Sequence, residues 1–294
     1  MFPFKRILFP VDFSADSISA AAYAAAMARW FQAELTVLNV VSGHQPYQDL
    51  NDVSLEATFA VDIAWNEIRE RDAALKMSEF ISDHLQGIQA KSCISQGDPA
   101  KTIVEHAESQ NIDLIVMPTH GFGGFRRMLL GSTTAKVLHD VSCPVFTSTH
   151  VESSARVSDA PFRTVLCAVD LNARSESIVQ WAAEFAGFSG SRLAVLHVTP
   201  EIVPGQWGYL DSDIPEDLRK DATGRLTSLL DKTGTQADMS IETGAVANTI
   251  RAYAQSNAAD LVIIGRHSGS GIMGKLRDTA YAIIRESPCP VISV

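Results

Sequence analysis

The chain repeats itself, and no other feature of the sequence constrains its fold as tightly. Arg6-Ile7-Leu8-Phe9-Pro10-Val11-Asp12 returns 158 residues later as Thr164-Val165-Leu166-Cys167-Ala168-Val169-Asp170, each time an apolar run ending in aspartate. Leu35-Thr36-Val37-Leu38-Asn39-Val40 returns at the same spacing as Leu193-Ala194-Val195-Leu196-His197-Val198. Further along, the spacing falls to 147: Gly97-Asp98-Pro99-Ala100-Lys101-Thr102-Ile103 matches Gly244-Ala245-Val246-Ala247-Asn248-Thr249-Ile250. Asp113-Leu114-Ile115-Val116-Met117 likewise matches Asp260-Leu261-Val262-Ile263-Ile264, and Cys143-Pro144-Val145 and Cys289-Pro290-Val291 close the copies. The change in spacing gives the first copy eleven additional residues between its second and third strands.

Within each copy, short Val/Ile/Leu runs alternate with longer segments of helical period. Runs that are apolar on both faces suit parallel strands covered by helices on each side. In the first copy the pattern predicts strands near 6–11, 34–41, 89–95, 112–118 and 144–148, and helices near 14–31, 60–86, 99–110 and 131–140. Ser14 is the expected N-cap of the first helix, and Pro99 occupies a first-turn position where proline is tolerated. The fold class is α/β: two tandem Rossmann-like open parallel five-stranded sheets with helices on both faces. The domains expected are 1–150 and 162–294, joined by a polar linker at 151–161. The insertion from Ser42 to Ala60 reads as a mobile loop over the first site.

Charge limits the partners. The chain carries 24 basic and 34 acidic side chains, a net charge of -10. That balance opposes nucleic acid and anionic membrane, and no Lys/Arg-rich block overrides it. The start of the chain lacks the apolar core of a secretory signal, and the softest stretch, Ala20 to Ala28, is too short to span a bilayer. The four cysteines, Cys93, Cys143, Cys167 and Cys289, form no CxxC pair and read as buried thiols in a reducing compartment. A cytoplasmic protein that binds a small molecule is the expectation.

Open α/β sheets bind ligands beyond the carboxyl ends of their strands. Asp12 follows the first strand there. The segment from Pro118 to Thr133 follows the fourth, and it points to phosphate in three ways. Gly121, Gly123 and Gly124 allow a tight turn that brings N–H groups to an anion. Gly131, Ser132 and Thr133 open a helix whose free N–H groups and dipole favour negative charge. Arg126 and Arg127 add positive charge. The plainer reading of the same residues is a turn, a helix cap and two solvated arginines.

These residues resemble the universal stress protein family, over essentially the whole chain. That family's signature is Gly, two residues, Gly, nine residues, then Gly-Ser or Gly-Thr. The first copy has Pro118, two residues, Gly121, nine residues, then Gly131-Ser132. Only the first glycine departs, and proline there removes any contact that needs an N–H or a positive φ. The resemblance implies ATP as ligand, with or without Mg²⁺, its phosphates on this loop and its adenosine near the first and second strand ends. The candidate site is then Pro10, Val11 and Asp12, with Val40 and Val41 from the second strand. Met117, Pro118, His120, Gly121 and Arg127 follow the fourth strand, and Gly131, Ser132 and Thr133 open the helix. Asp12 has a second reading as the cap of its own turn.

The second copy departs further. Aligned on Gly265, it reads Gly265, two residues, Ser268, nine residues, Asp278-Thr279. A carboxylate at the helix start repels phosphate, and Asp278 reads as the N-cap. A poor nucleotide site is expected there, with a structural role or another ligand in its place; Gly269, Gly271, Lys275 and Arg277 keep some capacity for an anion. Gly269-x-Gly271-x-x-Gly274 fits a dinucleotide fingerprint only as a string, because it follows the fourth strand and lacks the ribose-binding acid. Lys76-Met77-Ser78 lies in a helical stretch. His44, His84, His106 and His139 show no metal-ligand spacing with cysteine or carboxylate, and no G-x-S-x-G elbow occurs.

The residues themselves support phosphate binding, and the resemblance extends this to a stress-related ATP-binding regulatory protein, at most a slow ATPase. The rival is an interaction scaffold that binds no nucleotide. Both copies end on a proline-led strand, Pro144-Val145-Phe146-Thr147 and Pro290-Val291-Ile292-Ser293-Val294, and such edges need partners. The expectation is that the two pair with each other; further dimerisation stays open.

Overall fold

A computed structural model of the chain describes residues 2–42, 55–119, 130–148, 162–201, 214–266 and 275–294; for 55–64 and 275–278 it describes the backbone alone. The chain divides into two compact units, one built on residues 4–42, 55–119 and 131–143, the other on described residues of 144–294 together with residues 2, 3 and 130.

In the first unit, four strands, β1 (Arg6–Pro10), β2 (Glu34–Val41), β3 (Ala90–Gln96) and β4 (Leu114–Pro118), alternate with α1 (Ala15–Phe31), α2 (Leu55–His84), α3 (Pro99–Ser109) and α4 (Ser132–Asp140). The strands lie in the order β3-β2-β1-β4, all parallel. Central β1 buries Ile7, Leu8 and Phe9 completely, as a strand with helices over both faces must. The helices pair as α1 with α2 and α3 with α4. The inner stripe of α1 is alanine (Ala20, Ala21, Ala24, Ala25 and Ala28, all buried), which lets the helix lie close against the strands. Helix α2 starts at Leu55 rather than near 60, because Leu55, Glu56 and Ala57 are strong helix formers and carry the helix into what reads as loop.

The second unit repeats the plan with β6 (Thr164–Val169), α5 (Ser175–Ser189), β7 (Arg192–Thr199), α6 (Ile214–Thr233), β8 (Asp238–Thr243), α7 (Val246–Ser256), β9 (Leu261–Ile264), α8 (Lys275–Glu286) and β10 (Val291–Ser293). Its parallel strands run β10-β9-β6-β7-β8. A sixth strand, β5 (Val145–Ser148), which closes the first copy in sequence, pairs antiparallel with β10 in this unit. The register is self-complementary: Phe146 faces its counterpart Ile292, Val145 faces Ser293 and Thr147 faces Val291. Even the side-chain bonds match. The Thr147 hydroxyl donates to the Val291 carbonyl at 3.1 Å, and the Ser293 hydroxyl donates to the Val145 carbonyl at 3.4 Å. Each closing strand thus supplies the partner that the other's open edge requires. The chain start joins this unit through Phe2, whose ring packs edge-on against Trp181 and Phe185.

Asp113 and Asp260 carry a matched role beyond marking the repeat. Asp113 accepts from the Lys5 and Arg6 amides at 2.8 and 2.9 Å, and Asp260 from those of Arg163 and Thr164 at 2.8 and 3.0 Å. Each carboxylate satisfies the N–H groups at the start of its copy's first strand.

Candidate functional site

The chain turns sharply after β1, and Phe13 takes a left-handed φ of 63° there. Its counterpart Leu171 does the same at 56°. A non-glycine residue adopts this conformation only when its surroundings impose it, and here Asp12 does so. One oxygen of its carboxylate accepts from the Ser14 amide at 3.0 Å, the Ser14 hydroxyl at 2.5 Å and the Ser17 hydroxyl at 2.7 Å. The Ser14 hydroxyl accepts in turn from the Ser17 amide, so it caps α1 as expected. The turn is therefore held by Asp12, and the capping reading of that residue is the one its hydrogen bonds display.

Beyond β1 lies a cleft of about 450 Å³, within the size range of small-molecule sites. Nine of the thirteen candidate residues line it: Pro10, Val11 and Asp12 from the end of β1, Val40 from β2, Met117 and Pro118 from β4, and Gly131, Ser132 and Thr133 from the start of α4. Val41 does not line it; its carbonyl instead accepts the Gly97 amide at 3.1 Å, one residue past Val40 and on the opposite side of the strand. His120, Gly121 and Arg127 lie outside the described residues, as do Gly123, Gly124 and Arg126.

The start of α4 is what makes this cleft suited to an anion. Its N-cap is Gly131, with φ -57° and ψ 141°, and among the described residues no side chain caps the helix. The Gly131 amide donates to the Thr119 carbonyl at 2.8 Å, but the N–H groups of Ser132 and Thr133 have no intrahelical partner. They carry the positive end of the helix dipole into the cleft wall. Helices α1 and α3 are different, being closed by Ser14 and Asp98. The Thr134 hydroxyl ties α4 to β4, donating to the Pro118 carbonyl at 3.1 Å, and the exposed Lys136 ammonium lies 3.6 Å from Asp98. The Lys101 amide that Asp98 caps holds its carboxyl below the ordinary aspartate range, and Lys136 adds to this.

Sequence reasoning missed Ser17, Pro99, Ile103 and Thr134 as wall residues. Ser17 had a signal, being one helical turn past an expected N-cap and five residues past Asp12. Among the described residues no cluster of histidine, cysteine or carboxylate side chains could hold a metal ion, and no helix is long and apolar enough to cross a membrane.

The corresponding cleft of the second copy is smaller, about 170 Å³. Asp170 holds the same turn, accepting from the Asn172 amide at 3.2 Å and the Ser175 hydroxyl at 3.3 Å. Helix α8 begins at Lys275, so Asp278 lies within its first turn and is not its N-cap. Burial sets the register between the copies: Thr134, Val137 and Leu138 of α4 correspond to Ala280, Ile283 and Ile284 of α8. Asp278 therefore answers Ser132, one position away from the alignment on Gly265, because the second loop is one residue shorter.

The model of the universal stress protein family matches this chain twice, over residues 3–147 and 161–294. A universal stress protein of Mycolicibacterium smegmatis is 25% identical over 303 residues, covering 98% of this chain and 96% of its own. Universal stress protein MJ0531 of Methanocaldococcus jannaschii is 34% identical over 147 residues, covering 48% of this chain and 80% of its own. Among solved structures, a universal stress protein from Archaeoglobus fulgidus shares the fold with a TM-score of 0.62 at 24% identity, covering 98% of this chain and 95% of its own.

Proposed function

This chain belongs to the universal stress protein family, and from that premise we propose that its first copy is a binding site for an adenine nucleotide, ATP in the first instance. The phosphates lie at the start of α4, on the N–H groups of Ser132 and Thr133. The adenosine lies between the ends of β1 and β2, against Val11, Asp12 and Val40. One observation carries the reading: a cleft of about 450 Å³ has an uncapped helix N-terminus in one wall. The role is regulatory, the protein responding to or buffering the nucleotide. With Asp12 Oδ1 taken up by three donors of its own turn, the carboxylate is a poor general base, and any hydrolysis is slow.

A scaffold that works through its surfaces and binds no nucleotide is the second reading. Pro118 favours it, since proline stands where the family signature has its first glycine, and its carbonyl is already taken by Thr134. Calorimetric titration of the full chain with ATP·Mg²⁺ separates the two. The nucleotide reading requires saturable heat with one site per chain and a raised melting temperature. The absence of both leaves the scaffold.

A further inference from the structure

The second copy's cleft has no part in that proposal, and it differs from the first in one consistent direction. Where α1 has Ala20, α5 has Ile178, whose Cδ1 lies so close over Gly265 that a Cβ there would overlap it. Pro99 becomes Val246 and Thr134 becomes Ala280, while Ile264 stands in place of Met117. The cavity that remains, about 170 Å³, is walled mainly by aliphatic side chains. One polar ring faces into it. His197 takes the place of Asn39, and its Nδ1 lies 2.8 Å from the Val169 carbonyl, as the Asn39 amide lies 2.8 Å from that of Val11. A carbonyl only accepts, so Nδ1 carries the proton and Nε2 of the neutral ring is an acceptor. Asp170 is exposed at the rim.

We propose that this cavity binds a small neutral arene bearing one hydrogen-bond donor, of the phenol class. An aliphatic cavity of roughly 150 Å³ accepts benzene, and the hydroxyl of phenol supplies the donor that the His197 Nε2 accepts. The Asp170 carboxylate at the rim disfavours an anion, and a nucleotide exceeds a space below the roughly 300–1,000 Å³ of drug-sized sites. The inference stands apart from nucleotide binding in the first copy and survives its failure.

Isoleucine-δ1-methyl NMR of the full chain, titrated with phenol and with toluene, is the test. Saturable shifts are expected at Ile178, Ile250, Ile264 and Ile283 and none at Ile103, with phenol bound several-fold more tightly than toluene. Saturating ATP leaves these shifts in place. His197→Leu equalises phenol and toluene while both still bind, and Ala280→Leu, which fills the cavity, abolishes both. Absence of saturable shifts at the four methyls of the unmodified protein overturns the proposal. So does displacement of phenol by ATP, which makes this a second nucleotide site.

Discussion

Replacing Gly131 by aspartate moves stability and affinity in opposite directions, and both follow from the start of α4. The glycine sits at φ -57° and ψ 141°, a conformation open to any residue, and among the described residues the helix has no side-chain cap. An aspartate there accepts from the N–H groups of the first turn. Relative to glycine the cap contributes a few tenths of a kcal/mol, and the negative charge at the helix N-terminus adds about 0.3–1 kcal/mol. For a unit of this size a gain approaching 1 kcal/mol raises the melting temperature by roughly 2–4 °C. The same carboxylate occupies the donors assigned to phosphate and brings like charge beside it. Two unit charges about 4 Å apart near a surface repel by about 4 kcal/mol, and solvent in an open cleft lowers this. Affinity for ATP should fall by at least tenfold, approaching a thousandfold at full contact. Scanning fluorimetry on the free variant and calorimetry with ATP read the two effects. A variant that binds ATP as well as the unmodified chain refutes the assignment of phosphate to α4, and one that melts lower refutes the account of the uncapped helix.

Three further outcomes follow from the packing. Gly265→Ala costs about 1 kcal/mol in the native background, because its Cβ overlaps Ile178 Cδ1, and nothing in an Ile178→Ala background; equal costs in a urea-denaturation cycle would contradict this. Phe146→Ala removes a fully buried ring from β5 opposite Ile292 and should cost about 3–5 kcal/mol, read as a lower denaturation midpoint for the second unit; a cost under about 1 kcal/mol would show that the strand pairing matters little. Burial pushes the thiols of Cys167 and Cys289 up to about 12, so the thiolate is suppressed throughout the neutral range. A thiol reagent should label the half-buried Cys93 and Cys143 first and the other two only on unfolding; native labelling of Cys167 would contradict the packing of β6.

Much of this fold is written in the repeat. The strands of the first copy fall within two residues of their predicted bounds, because Val/Ile/Leu runs apolar on both faces have few alternatives to a covered parallel strand. The end of the insertion was not legible, since Leu55, Glu56 and Ala57 are good helix formers that directly follow a polar, loop-like run. The cleft was legible as a set of strand ends and one helix start, which is how nine candidate residues come to line it. What composition and spacing could not give was which side chains reach across it. Ser17 closes on Asp12 through the turn, and Thr134 reaches the Pro118 carbonyl from a different element. The contrast between the copies was also hidden. Alignment on Gly265 placed Asp278 at the helix cap, whereas the burial of Ala280, Ile283 and Ile284 moves it one position into α8. The exchange of Ala20 and Pro118 for Ile178 and Gly265, which narrows the second cleft, is visible only once both ends of that contact are placed in space.

A crystal structure of the full chain grown with saturating ATP tests the central claim most directly. The account predicts one nucleotide per chain, its phosphates on the Ser132 and Thr133 amides and its adenosine against Asp12 and Val40. A nucleotide in the second copy's cleft, or none in either, would contradict it.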